Sequence, residues 1–341
     1  MWRAHERGET NLAYPPLEVW IEPTNHCNLK CVKCPHSVGL RRAKGFMERD
    51  LFTRIVDEIA DFAFTVSLHL GGESLIHKEL PTLIDYAASR GLRTVLHTNA
   101  TLLTPERCRD LVRSGLSLIS FSIDGEDKES YEAVNAGANY ERTMAGVATF
   151  MEEVRATPGR TPVTVVEMLE DSPGSRAGRA PATLLDLGVD YVQIAGFHSW
   201  SGEFSHEANG VPSREFETLR DAGDAYAPCH NLWYGMAVLW DGSVSPCCMD
   251  MEGDYPVGNV AESSVLDLWN HERMVSLRQM QVEGRYKESD LCRDCAYLWG
   301  KSSGTTMGDA RGMLKQALKE RFPGVARALG MRRWGVRDWN A

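Results

Sequence analysis

The sequence predicts an α/β protein built on an open, mostly parallel sheet, a partial six-unit βα barrel followed by a small hairpin-plus-helix domain. Three observations carry this. Short apolar runs alternate with amphipathic stretches about six times before residue 197. The runs are nearly continuous in apolar residues, as strands covered by helical crossovers are. The pattern then breaks at a polar stretch near residue 200 and resumes as two short runs around Asp241-Gly242, a hairpin signal.

The elements follow in order. Residues 1–16 form an N-terminal extension ending at Pro15 and Pro16, and the barrel is expected over 17–200. Strands are expected at 17–23, 65–71, 92–98, 117–124, 161–169 and 189–196, with helices between them. The helix over 48–62 sets Leu51, Ile55 and Ile59 on one face. That over 104–115 has Thr104 as N-cap, Pro105 at the first helical position and Gly115 past its end. Six units fall short of the eight that close a barrel, and ligands of either form gather at the carboxyl ends of the strands. Residues 201–228 read as a linker or loop, and 229–300 as the second domain, with a helix over 263–281. The tail, 301–341, is basic from Arg311 on, with eight Lys or Arg against Glu320 and Asp338. It reads as a solvated helix, or as a basic amphipathic helix facing an anionic surface.

Composition narrows the function. A net charge of −10 leaves no basic footprint for nucleic acid. No run approaches the ~18 apolar residues of a membrane span, and the polar N-terminus lacks a secretory h-region. A cytoplasmic protein is expected, whose nine cysteines serve as thiols or metal ligands.

Seven of those cysteines fall into two groups. Cys27, Cys31 and Cys34 follow the first strand in a C-x3-C-x2-C spacing, short enough for one loop to aim all three at one soft metal centre. Three thiolates would leave a cubane iron–sulfur cluster one open iron; with His26 or His36 they would make a closed zinc site. In the second group, Cys229, Cys247, Cys292 and Cys295 supply four sulfurs, with Cys248 able to replace Cys247. Zinc also prefers such paired spacing. Cys108 lies in a helix with nothing nearby to activate it, and reads as structural.

The stretch "CNLKCVKC" resembles the signature of the radical S-adenosylmethionine (SAM) family, and other fragments fall in that family's order. "LGGES", "HTNA" and "SIDG" sit at successive strand ends, and "VQIAGF" lies on the sixth strand. The resemblance implies a TIM-like partial barrel in which Cys27, Cys31 and Cys34 hold a [4Fe-4S] cluster chelated by SAM. It further implies that Gly71, Gly72 and Glu73 receive the methionine amino group, that Asn99, Ser122 and Asp124 face SAM or substrate, and that Ile194 lies near adenine. The family usually places an aromatic or large apolar residue before the third cysteine; here Lys33 stands there, and its methylene stem can cover a ring. "DGSVSPCC", "VGNV" and "VLDLWN" resemble the SPASM/Twitch auxiliary domains, which implies a second [4Fe-4S] cluster on Cys229, Cys247, Cys292 and Cys295.

Relatives with one auxiliary cluster include dehydrogenases and epimerases of sugars and aminocyclitols in natural-product pathways. The resemblance therefore implies hydrogen abstraction from a carbinol carbon by a 5'-deoxyadenosyl radical, with oxidation to a ketone through the auxiliary cluster. The alternatives are a redox-neutral epimerase with Cys248 as hydrogen donor, a peptide maturase, and a non-enzymatic zinc-binding module. A maturase would carry a peptide-recognising winged domain before the barrel, for which sixteen residues are too few. Glu167 on the fifth strand and His198 after the sixth are the expected base or hydroxyl anchors. The expected partners are a sugar-type small molecule and a one-electron donor such as flavodoxin or ferredoxin.

Overall fold

The computed structural model describes residues 1–159, 161–169, 182–195, 226–293, 295 and 298. Six parallel strands follow the predicted order: β1 (Glu18–Ile21), β2 (Thr65–Ser67), β3 (Arg93–Thr98), β4 (Leu118–Ser122), β5 (Val163–Leu169) and β6 (Tyr191–Ala195). Each is shorter than its apolar run: β3 and β5 start one or two residues late, while β1, β2 and β4 end early, where the chain leaves the ladder to turn. The strand expected over 65–71 ends at Ser67, releasing Leu68 to Gly71 to turn.

Three further strands, β7 (Gly235–Val238), β8 (Ser243–Ser245) and β9 (Gly258–Asn259), extend the same sheet, in the order β6-β5-β4-β3-β2-β1-β7-β8-β9. The sheet is open. β7 runs parallel to β1, pairing Val19 with Met236 and Ile21 with Val238, and turns back antiparallel into β8. Gly242 adopts φ +84° in that turn, the left-handed value for which Asp-Gly was read as a hairpin signal. Gly235 has a steric task in β7, since a Cβ there would lie 2.4 Å from the Glu18 carbonyl oxygen.

One face of the sheet packs against helices. Val19, Ile21, Val66, Leu96, Ile119, Phe121, Val166 and Met168 are buried there, and Phe121 meets Phe150 of the helix Tyr140–Ala156 edge-on at 5.4 Å between ring centroids. Strand alternation turns Trp20, Glu22, His97, Ser120, Ser122 and Glu167 to the other, inner face. The helix Pro105–Arg113 starts as its sequence dictates, with Thr104 Oγ1 accepting the Arg107 N–H and Gly115 at φ +77° beyond its end. Cys108, on that helix, is buried among core residues.

The helix expected over 263–281 is two, Val265–Trp269 and Glu272–Val282. The break falls at Asn270, whose side-chain amide is held by both the N–H and the carbonyl of Leu12. That contact belongs to a wider strap. Trp233 Nε1 donates to the Glu9 carbonyl, Trp269 Nε1 to that of Tyr14, and Arg278 to those of Thr10 and Leu232. The N-terminal extension thus packs on the hairpin-and-helix unit, while that unit's first strand belongs to the barrel's sheet. The basic tail and most of the linker lie outside the described residues.

Candidate active site

The loop carrying Cys27, Cys31 and Cys34 leaves the carboxyl end of β1 and is pinned by backbone bonds. Lys30 N–H donates to Ala136 O at 3.0 Å, Val32 N–H to Val134 O at 2.9 Å, and Cys34 N–H to Cys31 O at 3.0 Å. Side chains add to this: Asn28 donates to Thr101, and Asn99 donates to Asn28. The three thiols are half-buried and act on one another. Burial pushes the Cys31 thiol far up, reinforced by the charges of Cys34 and Cys27. Burial likewise holds Cys34 at about 12 and raises Cys27. A cationic iron centre would relieve both costs, so the donor set suits one. Of the nearby imidazoles, His36 hydrogen-bonds the Gly71 carbonyl through Nε2, and His26 stacks on Phe46 at 4.8 Å.

The turn after β2 is shaped for close approach. A Cβ on Gly72 would sit 2.5 Å from Thr24 O and 2.7 Å from His26 O, so only glycine lets this turn lie against the start of the cysteine loop. Glu73 N–H donates to His26 O at 2.8 Å. Its buried carboxylate accepts from Leu75 N, Thr98 Oγ1 and Asn99 N at 2.8–3.0 Å, tying the turn to the end of β3. Glu73 thereby positions Asn99. The glycine turn thus lies directly against the backbone at the start of the cysteine loop.

On the inner face, Ser122 pairs in register with Glu167, and Glu167 with Gln193. Burial raises the Glu167 carboxyl to about 7, with the charge of Asp124 adding to it. Asp124 Oδ1 accepts the Leu169 N–H at 2.8 Å, which closes β4 onto β5. Ile194 lies in β6 by its backbone pairing with Met168. His198 falls outside the described residues.

Two features escaped the sequence reading. His69 and His97 lie together on the inner face, rings tilted by 33° with centroids 4.2 Å apart, beside Ser120, which pairs in register with His97. His69 Nδ1 and Ser120 Oγ are buried and unpartnered among the described residues. Burial lowers His97 to about 4, and burial together with His97 keeps His69 neutral, so both offer uncharged hydrogen-bonding edges. Counting alternate positions back from Gly71 and Asn99 would have placed them on this face. The second feature is an ion pair. Glu22, at the end of β1, takes Arg42 in a two-pronged contact and accepts the N–H groups of Gly71 and Trp240. Arg42 Nε also reaches Met251 O at 2.5 Å, so one pair joins cysteine loop, glycine turn and second domain.

In that domain Asp250 organises the loop beyond β8. It accepts from Ser245 Oγ, Asp254 N and Tyr255 N, while Met249 N–H points at Cys247 Sγ at 3.3 Å. Burial, followed by the charges of Cys247, Cys295 and Cys292, drives Cys229 far up; burial and Cys247 hold Cys292 at about 12. Cys247 is raised first by a hydrogen bond with Cys248, then by burial. The structure brings Cys229, Cys247, Cys292 and Cys295 into one electrostatic group, with Cys248 at its edge. Gln281 Nε2, buried beside them without a partner, adds a donor suited to sulfur. Among the described residues, no three His, Cys, Asp or Glu side chains close to the spacing of a single-ion site.

Residues 21–170 match the radical SAM superfamily, and residues 229–296 match SPASM, an iron–sulfur cluster-binding domain. The chain is 24% identical to the S-adenosyl-L-methionine-dependent 2-deoxy-scyllo-inosamine dehydrogenase of Niallia circulans, over 81% of this chain and 90% of that protein. It is 25% identical to the tungsten-containing aldehyde ferredoxin oxidoreductase cofactor-modifying protein of Pyrococcus furiosus, over 82% of this chain and 86% of the relative. It is 28% identical to the PqqA peptide cyclase of Streptomyces rochei, over 68% of this chain and 64% of that one. Among solved structures, BtrN in complex with AdoMet and 2-DOIA superposes with a TM-score of 0.58 at 20% identity, over 83% of this chain and 94% of its own. That likeness establishes the partial-barrel fold.

Proposed function

We propose that this chain, a radical SAM enzyme with a radical SAM domain joined to a SPASM iron–sulfur domain, oxidises a carbinol carbon of a sugar, aminocyclitol or oligosaccharide natural-product intermediate to a ketone. In this reading Cys27, Cys31 and Cys34 hold the SAM-binding [4Fe-4S] cluster, and Cys229, Cys247, Cys292 and Cys295 hold an auxiliary one. Gly71, Gly72 and Glu73 seat the methionine head group, and Asn99, Ser122, Asp124 and Ile194 line the cofactor's remaining length. The chemistry these groups supply when bound is removal of a hydrogen atom from carbon by a 5'-deoxyadenosyl radical and acceptance of one electron.

The protein's own residues do the rest. The observation that carries the reading is the place of Glu167 on the inner face, in register with Ser122 and Gln193, where burial raises its carboxyl to about 7 and suits it to take the hydroxyl proton of a substrate losing two hydrogens. Ser120 Oγ, His69 Nδ1 and His97 offer neutral partners for further hydroxyls. A flavodoxin or ferredoxin would deliver the initiating electron. No helix among the described residues is long and apolar enough to cross a membrane.

The test begins with iron, acid-labile sulfide and zinc per chain on anaerobic protein, beside a Cys27/Cys31/Cys34→Ala variant. About eight irons falling to about four is expected; zinc without iron would replace this reading with a zinc-binding module. Carbinol-deuterated aminocyclitols, 2-deoxy-scyllo-inosamine first, should then transfer deuterium to 5'-deoxyadenosine and yield ketone.

One observation favours a second reading. Cys248 is half-buried and hydrogen-bonds Cys247 from the edge of the group. As a hydrogen donor to a substrate radical it would make the enzyme a redox-neutral epimerase. Cys248→Ala should abolish epimerisation or divert it to ketone, and should cost a dehydrogenase little.

A further inference from the structure

The side chain of Gln281 sits at the last turn of the helix Glu272–Val282 and is completely buried. Its Oε1 accepts the Tyr226 hydroxyl at 3.0 Å and the backbone N–H of Cys229 at 3.2 Å. A backbone N–H can only donate, so the amide oxygen must be the atom that faces Cys229, and the orientation of the amide is fixed. Tyr226 is itself held, bonded to the Gln281 carbonyl at 2.6 Å and stacked on Tyr286 at 4.8 Å. Nε2 therefore points away from both. Among the described residues it makes no hydrogen bond of standard geometry, and the group it acts on is the Cys292 thiol, whose thiolate it favours.

An amide donor buried without an acceptor costs about 1–3 kcal/mol. Natural proteins rarely leave one, and such a group at a functional site points to an acceptor that is completed when the site is filled. Here the surroundings are sulfur. Cys292 and Cys229 flank the amide, and Cys247 and Cys295 act electrostatically on Cys229.

We propose that Gln281 Nε2 donates an N–H···S hydrogen bond to the auxiliary iron–sulfur group, at Cys292 Sγ or an adjacent inorganic sulfide, and so raises its reduction potential. The assignment rests on the reading of Cys229, Cys247, Cys292 and Cys295 as ligands. Adding an electron makes the sulfurs more negative, and a fixed donor stabilises that state more than the oxidised one. Outer partners of this kind orient and tune metal ligands. The direction suits a group that must accept an electron from a substrate radical.

Potentiometric titration of the anaerobic holoenzyme, followed by electron paramagnetic resonance, tests this, with the Cys27/Cys31/Cys34→Ala variant identifying the auxiliary signal. Gln281→Met keeps the volume and removes the donor. At the wild-type midpoint, the ratio of reduced to oxidised auxiliary group should fall about tenfold, equivalent to a midpoint lower by about 59 mV for one electron, while the first cluster is unmoved. An unchanged auxiliary midpoint at full iron content overturns the role of Gln281 and leaves the four ligands standing. Wild-type protein without auxiliary iron overturns the ligand reading and this assignment with it. Should Gln281→Met lose the cluster, wild-type holoenzyme labelled with 15N in its glutamine side-chain amides decides. Pulsed resonance on the reduced auxiliary group should detect the labelled nitrogen, and its absence overturns the assignment.

Discussion

Replacing Glu167 by Gln should change how stability depends on pH. The carboxyl is displaced from 4.5 to about 7, mainly by burial on the inner face and then by the charge of Asp124. At about 1.4 kcal/mol for each unit of pH, that displacement amounts to roughly 3 kcal/mol. The sign follows from which state holds the proton. Below pH 4.5 folded and unfolded chains both carry it, and the group costs the fold nothing. Between 4.5 and about 7 the unfolded chain releases the proton while the folded chain keeps it, so stability falls as pH rises and levels off above about 7. Glutamine is neutral throughout and lacks this slope. Wild type and Glu167→Gln should therefore melt together near pH 4.5 and separate by a few degrees at pH 8, with the variant higher. Thermal unfolding of both proteins across this range, followed by circular dichroism, measures it. Parallel curves would show that Glu167 ionises normally, and would remove it as a base poised near neutrality.

Gly72→Ala should abolish SAM binding in equilibrium dialysis while helix content is kept, because its methyl would press on the Thr24 and His26 carbonyl oxygens at 2.5 and 2.7 Å. Arg42→Met leaves the fully buried Glu22 carboxylate without its cation, a loss of about 3–5 kcal/mol for such pairs. The double variant with Glu22→Gln should regain part of that in denaturant titration. Thr104→Ala removes the cap of the helix Pro105–Arg113 and should cost about 1 kcal/mol, read as a lower denaturant midpoint with iron content unchanged.

Much of the barrel was legible because its signals are local. The alternation of apolar runs gave six strands in order, and Thr104, Pro105 and Gly115 marked a helix that the structure bounds within two residues. The ends of β3 and β5 fell where expected, whereas that of β2 was overestimated for a physical reason: Leu68 is as apolar as Val66, but the strand stops at Ser67 so that the chain can reach the Gly71-Gly72 turn. The break at Asn270 was hidden because its cause, the backbone of Leu12, lies 258 residues away. The inner-face histidines were overlooked because the "HTNA" fragment was read for Asn99 alone and His69 stands in no motif; their meeting depends on two strands lying side by side in register.

The sequence by itself determined the fold class, the spacing of both cysteine groups and the order of the turns that follow the strands. Each is written in residues close together in the chain, where periodicity, turn chemistry and short loops set geometry. The tertiary structure alone decided that β7 joins the barrel's sheet beside β1, that the N-terminal extension straps the second domain, and that Glu22 and Arg42 tie both cysteine-bearing units together. It alone raised Glu167 and left Gln281 with a donor to spare. These depend on burial and on contacts between residues far apart in the chain, and a linear sequence records neither.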